Sequence, residues 1–214
     1  MRVSSQNASP QARLPQRERG RARVAALLAA AGGAFAERGY DATTMTEIAV
    51  RAGASIGSLY QFFPTKELLA EALVGHYADA LHERLAALEA EAGGWSADEL
   101  GRRLLPLLVH FRTDHPAFAT LVEAPGAQVR RGGEVRARLR RQVQAILARQ
   151  APHLPGARLE PMAVAVLQIM KAAVALNAEA GLPVRDAALD ELSAMLCRYL
   201  EAQLGAGMED PARL

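Results

Sequence analysis

The chain has 214 residues, half of them hydrophobic and 22% charged, with a formal net charge of only +2. That length allows one sizeable core or a small module attached to a larger one, and abundant Ala, Leu, Arg and Glu with few β-branched or aromatic runs favour an all-α protein. A single cysteine, Cys197, excludes an intrachain disulfide and a cysteine-based zinc site, and its apolar helical setting predicts a small buried side chain. The first residues lack the apolar stretch of a signal peptide, and no apolar run reaches the roughly 18 residues of a membrane span. A soluble, cytoplasmic protein is therefore expected.

Arg2, Arg13, Arg17, Arg19, Arg21 and Arg23 face only Glu18 before residue 24. Two readings fit this basic arm, a solvated tail or a phosphate-binding segment, and the second requires a structured reader beside it. Residues 1–16 carry Ser, Gln, Asn and prolines without periodicity and predict a flexible arm. From Arg17, the residues Val24, Leu27, Leu28, Ala31, Ala34 and Phe35 recur at three- and four-residue steps, placing them on one face of a helix that Gly39 stops.

Thr44 followed by Glu47 has the form of a capping box and predicts a short second helix ending near Gly53. Ser55 caps a third helix through Tyr60 to Phe62, which Pro64 ends. Thr65 offers the cap of a long fourth helix running to about Glu91. Further helices are predicted near 96–114, 116–124, 134–150, 160–179 and 186–204, punctuated by Pro116, Pro125, Gly132-Gly133, Pro152, Pro155 and Gly181.

Two short helices joined by a glycine turn have the layout of a helix-turn-helix, whose second helix can enter the major groove. Ile48, Ala49, Ala52, Leu59, Phe62 and Phe63 are expected to form the core of this module, since an aromatic pair beside a turn buries large area.

Gly39-Tyr40, Thr43-Thr44, Ile48-Ala49, Ala52-Gly53, Ser55, Gly57, Leu59-Tyr60, Phe62-Phe63 and Lys66-Glu67-Leu68 together resemble the tetracycline-repressor-like (TetR/AcrR) family of bacterial transcriptional regulators. The resemblance covers about residues 20 to 75. It implies an N-terminal three-helix DNA-binding domain (17–64), then a larger helical ligand-sensing and dimerisation domain (65–205) and a short tail (206–214), about nine helices in all. By the same resemblance Thr44, Tyr60 and Lys66 would contact phosphates, and Ser55, Ser58 and Gln61 would lie on the recognition helix. Gly57 would permit close approach. Ile56 occupies a position that is often polar or basic in the family, and it is suited to a thymine methyl. With no Arg or Lys between Ser55 and Phe62, arginines such as Arg17 and Arg21 are expected to supply much of the affinity.

A reader this small needs pairing across a two-fold axis. Met162, Val166, Ile169, Met170 and Ala173 form one apolar stripe, and Leu192, Leu196 and Tyr199 belong to another. The resemblance implies an intersubunit bundle of the last two helices, whereas periodicity alone equally allows packing within one chain. Trp95, Leu104, Leu108, Phe111, Phe118, Leu121 and Val122 are candidates to line an effector pocket, with Gln168, His110 or Asp114 as polar contacts, although pocket walls and plain cores share a composition.

The five histidines are scattered, so neither a metal site, a cofactor nor a catalytic constellation is expected. The expected function is a homodimeric transcriptional regulator, a repressor released from a palindromic operator by a small, largely apolar effector. An effector-free architectural or division protein with the same reader is the alternative.

Overall fold

The structure is a computed structural model that describes residues 16–122 and 132–205; side chains are described from residue 18 in the first segment and from 133 in the second. Among the described residues every regular element is helical: α1 Gln16–Ala42, α2 Met45–Arg51, α3 Ile56–Phe62, α4 Lys66–Glu91, α5 Ala97–Asp114, α6 Pro116–Val122, α7 Gly132–Gln150, α8 Gly156–Ala178 and α9 Arg185–Leu204, with a 3-10 turn at Ala92–Gly94 after α4. The expected arm before residue 16 and the expected tail lie outside the described residues, as does the last turn predicted for the sixth helix.

α1 is broken at Gly39, whose backbone sits at φ 77° and ψ 170°, a combination essentially restricted to glycine. The break turns the chain into the helix pair that follows. Buried Thr43 secures it, its hydroxyl placed to donate to the carbonyls of Gly39 (2.7 Å) and Ala34 (3.2 Å). Gly39→Ala is expected to destabilise the protein by about 1–3 kcal/mol, measured as a lower urea midpoint with an unchanged slope.

α1, α2 and α3 pack round Leu27, Ala31, Phe35, Ile48 and Leu59, all fully buried or nearly so. α4 joins this module to the body: its first half packs on α1, and further contacts reach α6 and α7. The body is a layered bundle in which α5 lies on α8 and α9, α7 on α8 and α4, and α8 on α9. α6 returns against α1, so the reader has two supports, α4 and α6.

The packing of the body places several of the singled-out residues inside the protomer. Met162, Val166, Met170, Ala173 and Leu196 are core residues of the protomer itself, each no more than 3% exposed. That stripe faces α5, α7 and α9 and is already covered. Ile169, Leu192 and Tyr199 lie at the margin, half-buried against the same core. α8 also begins at Gly156, four residues before its predicted start. Pro161 is exposed and costs the helix one hydrogen bond, while buried Leu159 anchors the added turn. By length and composition α8 is apolar enough to cross a membrane, with a mean hydropathy of 1.6, but it packs on three neighbouring helices of the bundle.

Leu104, Leu108, Phe111, Phe118, Leu121 and Val122 are also close-packed. Phe111 and Phe118 meet edge to face at 5.7 Å between centroids, and the Arg112 guanidinium lies over Phe118 at 5.1 Å. Trp95 sits apart, partly buried under the Arg103 guanidinium at 4.2 Å. Gln168 is on the exposed side of α8 beside Arg136, Arg140 and Lys171, so it does not join the aromatic group. Cys197 is buried as expected.

Candidate nucleic-acid interface

The reader is assembled by local chemistry that the sequence spells out. Thr44 caps α2: its hydroxyl accepts from the Glu47 amide (3.2 Å), and the Glu47 carboxylate accepts from the Thr44 amide (2.9 Å). The Thr44 hydroxyl also lies 3.0 Å from that carboxylate, and Arg38 pairs with Glu47 from α1. The hydroxyl expected on a phosphate is thus engaged inside the module. Arg51 at the end of α2 grips Glu37 of α1 with two guanidinium nitrogens. Those hydrogen bonds hold the Glu37 carboxyl below the usual carboxylate range.

The turn runs through Gly53 at φ 59°, with the Gly53 and Ala54 amides donating to Val50 and Ala49. Arg23 of α1 reaches the Gly53 carbonyl at 3.5 Å. Ser55 then caps α3, its hydroxyl accepting from the Ser58 amide at 3.1 Å. Within α3, Leu59 is fully buried, and Phe63 just beyond it is 8% exposed. Anchoring these two turns Ile56, Gly57, Tyr60 and Gln61 to solvent on one arc, with Ser58 half-buried beside it.

Phe62, read from the sequence as core, is 38% exposed. One aromatic of the pair suffices to seal the module, and the helical step carries its neighbour outward. Val50, 76% exposed on α2, is a further apolar surface residue that the sequence reading did not single out.

Lys66 has a role that the sequence did not reveal. Its ammonium donates to the carbonyls of Tyr40 (2.9 Å), Thr43 (3.0 Å) and Asp41 (3.3 Å) and lies 4.4 Å from the centre of the Tyr40 ring. All three donors of an ammonium are occupied, and the side chain pins the end of α1 to the start of α4. Burial, and then the neighbouring Glu67, push the Tyr40 hydroxyl up to about 12, so the ring stays neutral beneath the cation. Lys66→Ala is expected to cost about 1.5–3 kcal/mol of stability, the range for hydrogen bonds to a charged group. The slope of log affinity against log salt should stay unchanged, whereas a slope shallower by about one would return Lys66 to a phosphate.

Arg21 is exposed on α1. The Arg17 side chain lies outside the described ones, as do Arg2 and Arg13.

A short helix held by a glycine turn, capped at its start and turned outward along one arc, defines a helix-turn-helix protein. Residues 27–73 match the bacterial regulatory proteins of the tetR family, and residues 96–200 match the tetracyclin repressor-like C-terminal domain. The chain belongs to the tetR family and is a DNA-binding transcriptional regulator of that type. It is similar to a TetR-like transcriptional regulator from Rhodococcus sp. RHA1, with 27% identity, 88% of this chain and 98% of that one covered, and a TM-score of 0.64. A TetR-family regulator from Streptomyces coelicolor gives 25% identity, 86% and 98% coverage and a TM-score of 0.58. YuxN of Bacillus subtilis (strain 168), an uncharacterized HTH-type transcriptional regulator, is 31% identical over 87 residues. That stretch is 41% of this chain and 29% of YuxN, so the match spans under a third of that relative.

Proposed function

We propose that this protein is a homodimeric repressor that binds a palindromic operator through α3 and releases it when a small, largely apolar effector binds the helical body. The observation that carries the reading is the outward arc of α3. Ile56 and Gly57 offer an apolar, close-fitting approach to a thymine methyl, Gln61 offers an amide that can pair with an adenine edge, and Tyr60 offers a hydroxyl within reach of the backbone. Thr44 and Ser55 support that arc by fixing the two helix starts.

The outer side of α8 supports the dimer. Val164, 37% exposed, and exposed Gln168, Ala172 and Ala175 follow one another at four, four and three residues, with Met195 of α9, 54% exposed, as a further apolar residue. This surface replaces the inward stripe as the proposed interface, with Ile169, Leu192 and Tyr199 at its edge. α4 would carry the effector's signal, since it belongs to both reader and body, and coupling of about 1–3 kcal/mol is the usual scale for such an effect. Binding rather than catalysis is the proposed role throughout.

The reading is tested by competition between the protein's own promoter fragment and random DNA of equal length at two salt concentrations. A promoter preference of about 10³-fold or more, typical of specific recognition, is expected at both. Equal, strongly salt-sensitive binding to the two DNAs would favour an architectural protein instead.

A further inference from the structure

The groove between α7 and α8 carries a positive charge that the protomer leaves uncompensated. Arg136, Arg140 and Lys171 line it, and among the described residues no carboxylate does. Arg136 and Arg140 stand four residues apart on α7, a like-charge spacing that works against the helix. Elsewhere on α7 the charge is met, since Arg138 pairs with Asp79 of α4 at 2.8 Å. Among the described residues Arg140 and Lys171 form no ion pair. Arg136 is held in place by donating to the Val122 carbonyl at 3.0 Å, which uses only part of its donor set. Leu139 and buried Leu167 make an apolar floor, and such a floor concentrates the field of the cations above it. The space is about 40 Å³, enough for a group a few atoms across.

Carboxylates that could answer this charge border the proposed dimer face. Glu160 precedes Val164 by four residues on α8, and Glu191 precedes Met195 by four on α9, so each shares a helical side with a residue of that face. Both are exposed, and among the described residues neither forms an ion pair. Glu160 cannot serve Lys171 of its own chain, because the intervening helix sets them about 16 Å apart.

We propose that this groove is the charged part of the surface by which the chain recognises a second copy of itself, and that an exposed carboxylate of that copy, Glu160 or Glu191, enters it. The inference rests on the dimer reading above. Val164 and Gln168 belong both to the groove and to the proposed face, so a second copy seated on that face borders the groove. In a two-fold interface every such contact occurs twice. Carboxylates set against the groove are attracted, while cations set there are repelled, so the pairing fixes the register of the two copies. It also selects this chain over proteins of the same fold that lack the matching charges.

Sedimentation equilibrium of the full-length protein without DNA gives the dimer dissociation constant for the parent and for charge reversals. Lys171→Glu should raise that constant by about tenfold or more, and Arg140→Glu should act likewise. Arg141→Glu makes the same charge change at an exposed position of α7 outside the groove and should leave the constant unchanged. Combining Lys171→Glu with Glu160→Lys, or with Glu191→Lys, should recover about tenfold in at least one of the two pairs. Helical circular dichroism equal to the parent's would show that the variants keep the fold. No loss in Lys171→Glu, a loss as large in Arg141→Glu, or no recovery in either pair would overturn the inference and leave the dimer standing. A monomeric parent would overturn the dimer reading and this inference together.

Discussion

Replacing Ala172 with glutamate is expected to produce a folded monomer whose operator affinity has fallen by about 10²-fold or more, the scale on which joining two binding modules raises avidity. Ala172 is exposed in the protomer, so the added carboxylate should leave the monomer's core intact, and its helical circular dichroism should match that of the parent. In the proposed dimer the same carboxylate would be buried against α8 of the second copy. Removing an unpaired charge from water costs several kcal/mol, more than a helical face of Val164 and alanines can offset. Light scattering with an operator titration checks both halves of the expectation. A variant that stays dimeric with unchanged affinity would place the interface on another surface.

Gly101→Val should be the more damaging change for stability, at about 3 kcal/mol, the upper part of the range for overpacking a core. α5 crosses α9 at Gly101, where an added Cβ would sit 2.8 Å from Cys197 Sγ and 3.1 Å from Cys197 Cα. The sulfur can be removed but the backbone cannot yield, so the two helices must separate. For a chain of this size about 3 kcal/mol lowers the melting temperature by about 6–12 °C at fixed protein concentration. Adding Cys197→Ala should recover part of the loss and no more, with the two changes non-additive by about 0.5 kcal/mol or more. Full additivity would mean that Gly101 and Cys197 do not meet.

The contrast between Ser55 and Lys66 shows what was legible in the sequence. Ser55, Thr44, Thr65 and Gly39 act on residues within a few positions of themselves, and each does in the structure what its local pattern predicts. Lys66 acts on carbonyls 23 to 26 residues away, a distance at which no spacing rule speaks. The same difference separates the two faces of α8. Periodicity identified Met162, Val166 and Met170 as one apolar stripe, but a stripe does not name its partner, and the body of the same chain covers it. The face left outward is the opposite one, where small and weakly polar residues give little periodic contrast. The aromatic group of α5 and α6 shows the composition problem directly, since Phe111 and Phe118 would look alike in the sequence whether they lined a cavity or filled one. Phe62 is a smaller instance: it ends α3 while Phe63 lies just beyond it, and only Phe63 is turned into the core.

The claim that α3 reads DNA as one of a symmetric pair is tested most directly by hydroxyl-radical footprinting of the promoter fragment with the parent protein and with Gln61→Ala. Two equivalent protected patches are predicted, centred about 34–36 Å apart in successive major grooves. Gln61→Ala should keep that spacing while relaxing the preference at one base position in each half, with a loss of about 1–3 kcal/mol for the preferred base. A single patch, or protection that runs evenly along the fragment and is the same for both proteins, would contradict the account.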